Sequence, residues 1–379
     1  MPKPEKRTTT DLNGAPKNLE LSLKEAVIST AIPLKIEFDD KVTPDDLKQE
    51  IIREDVSKPE ITPQVKKPAP LSDIDIRPSL AEKLKKHGIT TTGVLATMSA
   101  KQLANTVSGV GDTIAQRLVA SAREYHGLGV KKARLVYAQQ KSRRKISTGL
   151  TGLDGILQGG VETGVITEFY GAFNSGKTQL CHQLSVLVQR PVEEGGLDKA
   201  CAWIDTEGTW YGDRPQAIAT RFGMDPDAVL DGIYIARSYN SDEQMALTNQ
   251  IIEELDEFNV GLIVIDSLIA HFRAEYIGRG TLASRQQTIS NYLEMIQRPV
   301  SLAGVAVVVT NQVSANPDPY SPGGPERAVG GHVVSHATGH RVYLKGKSKS
   351  VTASVIDSPI LPQDKCEFTI TAGGLEDVK

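Results

Sequence analysis

The sequence of 379 residues has little of several features that define common protein classes. Its three cysteines, Cys181, Cys201 and Cys366, are too widely spaced for a zinc motif or a disulfide framework. It has no apolar run of about 18 residues that would predict a membrane span, and its first residues lack the apolar core of a signal peptide. The formal net charge is only −3, so any affinity for nucleic acid must come from local basic patches. We therefore expect a cytoplasmic protein without disulfides and without a membrane anchor.

Composition and periodicity divide the chain into four predicted regions. Residues 1–70 hold nine of the 20 prolines, which predicts a flexible, mostly disordered tail. Residues 71–127 show four short helical patterns, typical of a small all-α domain. Residues 128–145 form a basic linker, and residues 146–379 alternate between strand and helix patterns. This alternation predicts an α/β core with a mostly parallel central sheet, and the closely spaced strand patterns after residue 341 predict an antiparallel extension of it.

One segment of the core fits a phosphate-binding loop. Two glycines separated by four residues precede Lys and Thr, an apolar strand pattern ends just before the first glycine, and a helical pattern follows from Gln179. In this motif the backbone N–H groups and the helix N-terminus surround a polyphosphate. Lys177 can reach the β and γ phosphates, and the Thr178 hydroxyl can bind Mg²⁺. The segment, which predicts a nucleoside triphosphate site, consists of Gly171, Ala172, Phe173, Asn174, Ser175, Gly176, Lys177 and Thr178.

Three further apolar strands end in polar side chains. One ends at Asp266, which we expect to bind Mg²⁺ through water, and another is followed by Glu207, a candidate for activating the attacking water. Asp205 beside it is either a structural cap or a supporting partner. The third strand is followed by Gln312, whose amide could sense the γ phosphate. Because open α/β sheets bind ligands at the carboxyl ends of their strands, these side chains should meet in one place.

Two parts of the chain have a composition suited to nucleic acid. A hairpin with Gly109 and Gly111 joins two predicted helices, and Asp112 is expected to cap the second of them. This hairpin resembles the helix-hairpin-helix module, which offers backbone N–H groups to DNA phosphates, although a plain turn between packed helices has the same pattern. After the Asp266 strand, Arg273, Tyr276 and Arg279 lie among glycines and suit single-strand phosphates and base stacking, or form only a mobile surface loop.

Two other patterns remain open at this point. Seven basic residues and no acidic residue lie between positions 130 and 145, which fits a solvated linker as well as a phosphate-contacting stripe. His332, His336 and His340 are spaced by four, as on one helix face. Since no carboxylate or cysteine completes a metal site there, we expect polar packing or a switch contact to phosphate.

In order and spacing, a series of segments resembles the archaeal RadA recombinases, which are relatives of bacterial RecA and of the eukaryotic strand-exchange proteins. The resemblance covers residues 71–379. It implies a RecA-like P-loop ATPase core behind a small helix-hairpin-helix domain. The segments that carry it are GAFNSGKTQL, WIDTEGTW, LIVIDSLIAHFRAEYIGRGTLASRQQ, TNQV, AVGGH and IDSPILP.

The resemblance implies a DNA-dependent ATPase that binds ATP and Mg²⁺ and leaves room for a monovalent cation such as K⁺. Its partners would be single-stranded DNA, double-stranded DNA and further copies of itself in a helical filament or ring. Such a protein pairs and exchanges homologous strands in DNA repair, and in an archaeal cell it would be associated with the nucleoid. The alternative is an accessory protein that resembles recombinases, binds ATP and DNA, and regulates a true recombinase.

The resemblance also implies roles for individual residues. The catalytic residues would be Lys177, Glu207 and Gln312, and the metal would lie at Thr178 and Asp266. Besides the loop 171–178, the nucleotide would meet Gln179, Arg214, His336, Asp357 and Pro359, the last three from a neighbouring subunit. The implied DNA-binding residues are Arg273, Tyr276, Arg279, Arg327, Gly109 and Gly111.

The sequence departs from this family at three places. The aromatic residue that begins the inter-subunit motif is replaced by Val130, while the small residue of the motif is kept as Ala133. Valine buries about 1–2 kcal/mol less apolar transfer free energy than phenylalanine, so we expect weaker self-assembly or a different anchor. The segment 210–214 differs from the usual Phe-Arg-Pro-Glu-Arg, and the tail 1–70 is longer than the family leads us to expect.

Overall fold

The computed structural model describes residues 69–314, 327–347 and 350–378, so almost all of the predicted tail lies outside the described residues. The helices are α1 Pro78–Lys85, α2 Thr92–Thr97, α3 Ala100–Thr106, α4 Asp112–Tyr125, α5 Ala133–Lys141, α6 Thr151–Ile156, α7 Lys177–Leu187, α8 Asp213–Arg221, α9 Pro226–Asp231, α10 Ser241–Glu253, α11 Ala270–Glu275, α12 Leu282–Ala303 and α13 Gly331–Ala337. The strands are β1 Lys145–Ile146, β2 Val161–Glu162, β3 Ile166–Gly171, β4 Ala200–Asp205, β5 Ile233–Arg237, β6 Val260–Asp266, β7 Ala306–Ser314, β8 Arg327–Ala328, β9 His340–Lys347, β10 Ser350–Asp357, β11 Lys365–Thr371 and β12 Gly374–Asp377.

Helices α1 to α4 pack around their own apolar core. Leu84, Leu103 and Leu118, from three of these helices, have no exposed surface. Helix α3 begins with a capping box in which Ser99 and Gln102 satisfy each other's backbone N–H groups. The expectation that Asp112 caps α4 is wrong, because Gly111 occupies the cap position and no side chain caps this helix.

A mixed sheet forms the centre of the core domain. Its strand order is β12-β11-β10-β9-β3-β7-β6-β4-β5, and β8 pairs with β7 outside this path. The strands from β9 to β5 in this order are parallel, whereas β10, β11 and β12 continue the sheet in antiparallel fashion. The predicted parallel sheet with an antiparallel extension is therefore confirmed. The strands β1 and β2 form a separate two-stranded sheet that the sequence patterns do not indicate.

Helices cover both faces of the parallel strands. On one face the apolar side chains of α7 and α8, including Leu184 and Ile218, pack on the sheet. On the other face α10 and α12 contribute Ile251 and Leu293. Because both faces are covered, β6 is buried at every position, which explains its continuous apolar sequence.

The strand register places the predicted polar residues at the same end of the sheet. Gly171, the last residue of β3, pairs with Gln312 on β7, and Asp205, the last residue of β4, pairs with Asp266 on β6. We call this the carboxyl end of the sheet, and the opposite end the amino end. No helix in the described ranges has both the length and the apolar character that crossing a membrane requires.

Candidate functional site

The loop between β3 and α7 has the geometry of a phosphate cradle. Gly176 has a φ of 90°, in the left-handed region where glycine is favoured, and Lys177 follows as the first residue of α7. A side chain at Gly171 would collide with the carbonyl oxygen of Leu344 on β9. The loop therefore needs both glycines to fold tightly against the sheet, and it directs the N-terminus of α7 outward.

Lys177 lies inside this loop. Its Nζ atom donates to the carbonyl oxygens of Gly171 at 3.1 Å and Ala172 at 2.8 Å, and to the Ser175 hydroxyl at 3.3 Å. Burial lowers the pKa of Lys177, while the nearby charges of Asp266 and Glu207 act in the opposite direction. A cation that is partly desolvated and bonded only to neutral oxygens is well placed to exchange these partners for phosphate oxygens.

Asp266 and Thr178 form the part of the site that fits a magnesium ion. The Thr178 hydroxyl donates to the Asp266 carboxylate at 2.7 Å, and the Thr310 hydroxyl donates to its other oxygen. Burial raises the pKa of Asp266, and these two hydrogen bonds lower it in part. A hydroxyl and a carboxylate are oxygen ligands that Mg²⁺ uses together with phosphate and water, so the donor set fits this ion. Within the described residues no group of three or more His, Cys, Asp or Glu side chains is arranged to hold a metal alone.

Glu207 and Gln312 come together beside this group. The Ser267 hydroxyl donates to the Glu207 carboxylate at 2.9 Å, and the Gln312 amide donates to the same oxygen at 3.3 Å. The role of Ser267 was missed by sequence reasoning, although its position directly after Asp266, at a strand end, could have indicated it. An exposed edge of a carboxylate, held by two side-chain donors, can accept a proton from a water molecule.

Asp205 has a different environment from its neighbour Glu207. One of its carboxylate oxygens accepts the backbone N–H groups of Glu207 at 3.2 Å and Gly208 at 2.8 Å, and Arg237 lies 3.0 Å from the same oxygen. This carboxylate oxygen is therefore occupied by donors of its own turn and by Arg237. Of the two alternatives for Asp205, the geometry favours the structural cap.

Arg214 lies on α8 and contacts the turn between β11 and β12. One guanidinium nitrogen donates to the carbonyl oxygens of Thr371 at 2.8 Å and Ala372 at 2.6 Å, in the turn between β11 and β12. Ile370, next to this turn, would lie 3.2 Å from a side chain at Gly176, so the turn approaches the phosphate loop. Burial lowers the pKa of Arg214. Of the other implied contacts, Phe173 is 88% exposed and Gln179 is half-buried on α7.

Asp357 and Pro359 lie at the amino end of the sheet, away from the loop of their own chain. Asp357 pairs with Arg341 on β9, which in turn pairs with Glu168 near the start of β3. Glu168 lies three residues before Gly171, about 10 Å along β3, so Asp357 and the phosphate loop of one chain are displaced from each other along the strands.

The three histidines do not share one helix face. The rings of His332 and His336 stack on α13 with centroids 6.0 Å apart. His340 is instead the first residue of β9, where it is buried and contacts Glu162 and Ser358. His340 is not on the helix face that the spacing suggests, because α13 ends at Ala337 and the chain turns into the sheet. Its buried contacts are the polar packing that the sequence leads us to expect.

The candidate DNA-binding residues lie on three separate segments. Arg273 is exposed on α11, whereas Tyr276 is half-buried and its hydroxyl lies 3.4 Å from that of Thr288. Arg279 begins a short 3₁₀ helix, and Arg327 begins β8, which pairs with the end of β7. In the helical domain, Gly109 and Gly111 are exposed in the hairpin between α3 and α4.

The proposed assembly motif lies before α5. Val130 is fully exposed, and Ala133 is the first residue of α5. None of the residues of α5 is buried. The segment is thus available for contacts outside its own chain.

A parallel sheet with a phosphate loop after β3, an aspartate at the end of β6 and a glutamate beyond β4 defines the class of RecA-like P-loop proteins. Residues 139–378 match the Rad51 family, and residues 75–124 match the SAM-like helix-hairpin-helix tandem. The chain belongs to the Rad51 family. The family resemblance and the fold class inferred from the sequence are therefore confirmed.

Two relatives from archaea are similar over most of the chain, and both are named DNA repair and recombination protein RadA. The protein of Aeropyrum pernix is 42% identical over 303 residues, which cover 80% of this chain and 94% of the relative. The protein of Ignicoccus hospitalis is 41% identical over 325 residues, which cover 84% of this chain and 98% of the relative.

Proposed function

We propose that this chain is an ATP-dependent recombinase that assembles on single-stranded DNA, pairs it with homologous double-stranded DNA and exchanges strands in DNA repair. The observation that carries the proposal is the hydrogen bond between Gln312 and Glu207. This bond joins Glu207, the side chain best placed to orient a water molecule, to Gln312 on β7. Strand β7 pairs with β8, which carries the candidate DNA-binding residue Arg327. ATP hydrolysis and DNA contact would then influence each other directly.

ATP and Mg²⁺ would occupy the loop and the Thr178–Asp266 pair. The bound metal neutralises charge that develops on the phosphates during hydrolysis. Lys177 would turn from the carbonyl oxygens of the loop to the β and γ phosphates, and Glu207 would orient the attacking water. We also propose K⁺ as a further cofactor, which would balance part of the negative charge of the phosphates.

The DNA contacts would come from segments that follow β6 and β7. Arg273 lies just after the strand that ends at Asp266, and β7 continues past Gln312 to its pairing with β8. A γ phosphate that engaged Gln312 would change the bond to Glu207 and with it the end of β7. The exposed hairpin at Gly109 and Gly111 would add contacts to DNA phosphates that do not depend on sequence.

Self-assembly would complete the nucleotide site. Asp357 and Pro359, towards the amino end of the sheet, would reach the nucleotide of a neighbouring subunit. The exposed Val130 could attach to an exposed apolar strand edge, and β5 offers one, since it ends the sheet and carries the partly exposed Tyr234 and Ile235. Repetition of such a head-to-tail contact gives a ring or a filament. We expect the protein to work in the cytoplasm, on the nucleoid.

A strand-exchange assay tests the proposal. The wild-type chain, given ATP, Mg²⁺, single strands and a homologous duplex, should form joint molecules, and Lys177→Ala should form none. Glu207→Gln should still bind ATP and assemble but should hydrolyse ATP about 100-fold or more slowly.

The accessory alternative predicts another result in the same assay. A wild-type chain that binds ATP and single strands but yields no joint molecules would refute the recombinase proposal. Since Val130 replaces an aromatic residue of the assembly motif, that assay should also include a high protein concentration, at which weak self-assembly is complete.

A further inference from the structure

A continuous chain of polar side chains runs from the basic linker to the loop after β10. Arg143 donates to the Glu162 carboxylate at 2.8 Å, and the other oxygen of Glu162 lies 3.3 Å from Nε2 of His340. Nδ1 of His340 lies 2.9 Å from the hydroxyl of Ser358. The four residues belong to four different segments of the chain: the linker, β2, β9 and the residue directly after β10.

The two central members of this chain are buried. The side chains of Glu162 and His340 are 7% and 6% exposed. Burial would raise the pKa of Glu162, but the hydrogen bonds from His340 and Arg143 outweigh it and lower the pKa to about 2. Glu162 is therefore a carboxylate at neutral pH, and Nε2 of His340 carries a proton that it donates to this carboxylate.

Ser358 uses the same hydroxyl to shape the loop that follows it. Its Oγ atom accepts the backbone N–H groups of Ile360 at 3.2 Å and Leu361 at 2.9 Å. Leu361 is buried in the core, whereas Ile360 and Pro359 are exposed. The hydroxyl thus determines the path of the chain through Asp357 and Pro359, between the end of β10 and the anchor at Leu361.

Counting donors and acceptors explains how one hydroxyl serves both of its neighbours. A serine hydroxyl has two lone pairs and one proton. With both lone pairs of Ser358 facing the N–H groups of the loop, its proton faces Nδ1 of His340.

Solvent can reach this chain of side chains. Glu162 and His340 line a cavity of about 840 Å³, together with Arg143 of the linker and Pro359 and Ile360 of the loop. Lys141 and Lys145 also line the cavity, so its charged lining consists of one carboxylate and three cations beside His340.

We propose that Arg143, Glu162, His340 and Ser358 act together as positioning residues, which hold the loop from Asp357 to Leu361 in the orientation that reaches a neighbouring subunit's nucleotide. They link the basic linker, directly after the assembly motif, to the nucleotide contact. The inference rests on the proposed function, because only an assembled protein brings this loop to a nucleotide. The proposal gives His340 a positioning role at the start of β9, and not a place on the helix face with His332 and His336.

The test compares Ser358→Ala and His340→Gln with matched controls in the full-length chain. Ser350→Ala removes a half-buried serine hydroxyl at the start of β10, and His87→Gln removes an exposed histidine just after α1. For each variant, the KM for ATP and the kcat of DNA-stimulated hydrolysis are measured at neutral pH. The unfolding midpoint in urea is measured beside them.

Ser358→Ala should raise the KM for ATP at least about five-fold and leave kcat at saturating ATP within about two-fold of wild type. His340→Gln should raise the KM in the same way, and the double variant should be no worse than the more affected single variant. The controls should behave as the wild type.

Three outcomes separate the possible failures. A KM unchanged in Ser358→Ala, with a wild type that assembles and hydrolyses ATP, would overturn this inference alone. A fall of kcat in proportion to a loss of folding stability would also overturn it, since that is the result of a structural role only. A wild type without ATP-dependent assembly would instead refute the proposed function. If His340→Gln does not fold, the half-buried Ser358 still decides the question.

Discussion

At the scale of single residues, environment gives two neighbouring carboxylates different properties. Asp205 accepts several backbone N–H groups and lies 3.0 Å from Arg237, so it is fixed within its turn. Glu207, two residues later, is held only by the side chains of Ser267 and Gln312. Side-chain donors can rotate when a phosphate competes for them, whereas backbone donors cannot. This difference makes Glu207 the better candidate for handling a water molecule.

Glu162 should give the folding stability a measurable dependence on pH. Its pKa in the folded chain is about 2, below its ordinary value of 4.5, so the folded state is favoured above pH 4.5 and loses this advantage as the pH falls towards 2. The contribution is on the order of 3 kcal/mol. Urea unfolding of wild type and Glu162→Gln should therefore differ most above about pH 4.5 and converge in acid. A difference that does not change with pH would contradict this account.

At the scale of secondary-structure elements, one buried ion pair joins three adjacent strands. Glu168 on β3 is fully buried, and it accepts from Asn311 on β7 at 2.7 Å and from Arg341 on β9 at 2.6 Å. The guanidinium of Arg341 also lies over the ring of Tyr170. The register of β3 with both neighbours is thus specified by polar contacts as well as by apolar packing.

Arg341→Gln should destabilise the chain by about 3–5 kcal/mol, because it leaves the Glu168 carboxylate buried without a counter-ion. The exposed pair of Lys85 and Glu82 provides the control, and Lys85→Gln should cost less than about 1 kcal/mol. Both are measured by urea unfolding. The double variant Arg341→Gln with Glu168→Gln should recover part of the lost stability. If Arg341→Gln costs no more than the control substitution, burial of the ion pair has no effect on stability.

At the scale of the whole molecule, the two parts of the candidate nucleotide site are displaced from each other along the sheet. The phosphate loop follows β3 at the carboxyl end, whereas Asp357 ends the antiparallel strand β10 and pairs with Arg341 near the start of β9. A head-to-tail contact between copies would bring the carboxyl end of one sheet to the amino end of the next. ATP bound there would hold two subunits together, and its hydrolysis would release them.

Mixing two inactive variants tests this arrangement. Lys177→Ala lacks a working phosphate loop, and Asp357→Asn lacks the contact from the neighbour, so each alone should hydrolyse little ATP. In an equal mixture about one quarter of neighbouring pairs combine an intact loop with an intact Asp357, and activity should recover to a similar fraction of wild type. The control mixture contains Lys177→Ala and the double variant Lys177→Ala with Asp357→Asn. The double variant has neither an intact phosphate loop nor an intact Asp357. If the first mixture recovers no more activity than the control, Asp357 does not act across the interface.

Much of the fold could be predicted because it depends on short-range patterns. Helix α4 is one of the short helices that the periodicity of residues 71–127 predicts, and the strand that ends at Asp266 is recognisable from its apolar run. The order of glycines before Lys177 likewise specifies a strand, a tight turn and a helix. In each case neighbouring residues suffice, since backbone sterics and amphipathic periodicity act over a few positions.

Only the tertiary structure decides which distant side chains meet. The spacing of His340 predicts a helix face, but the pairing of β9 with β3 places it beside Glu162 instead. Thr310 joins the site through the parallel register of β6 and β7, which no local pattern encodes. By itself the sequence determined the class of protein, the phosphate loop and the polar residues at the strand ends. The location of Asp357 relative to the loop follows from the antiparallel pairing of β10 with β9, because burial of both sheet faces selects the register of the whole sheet at once.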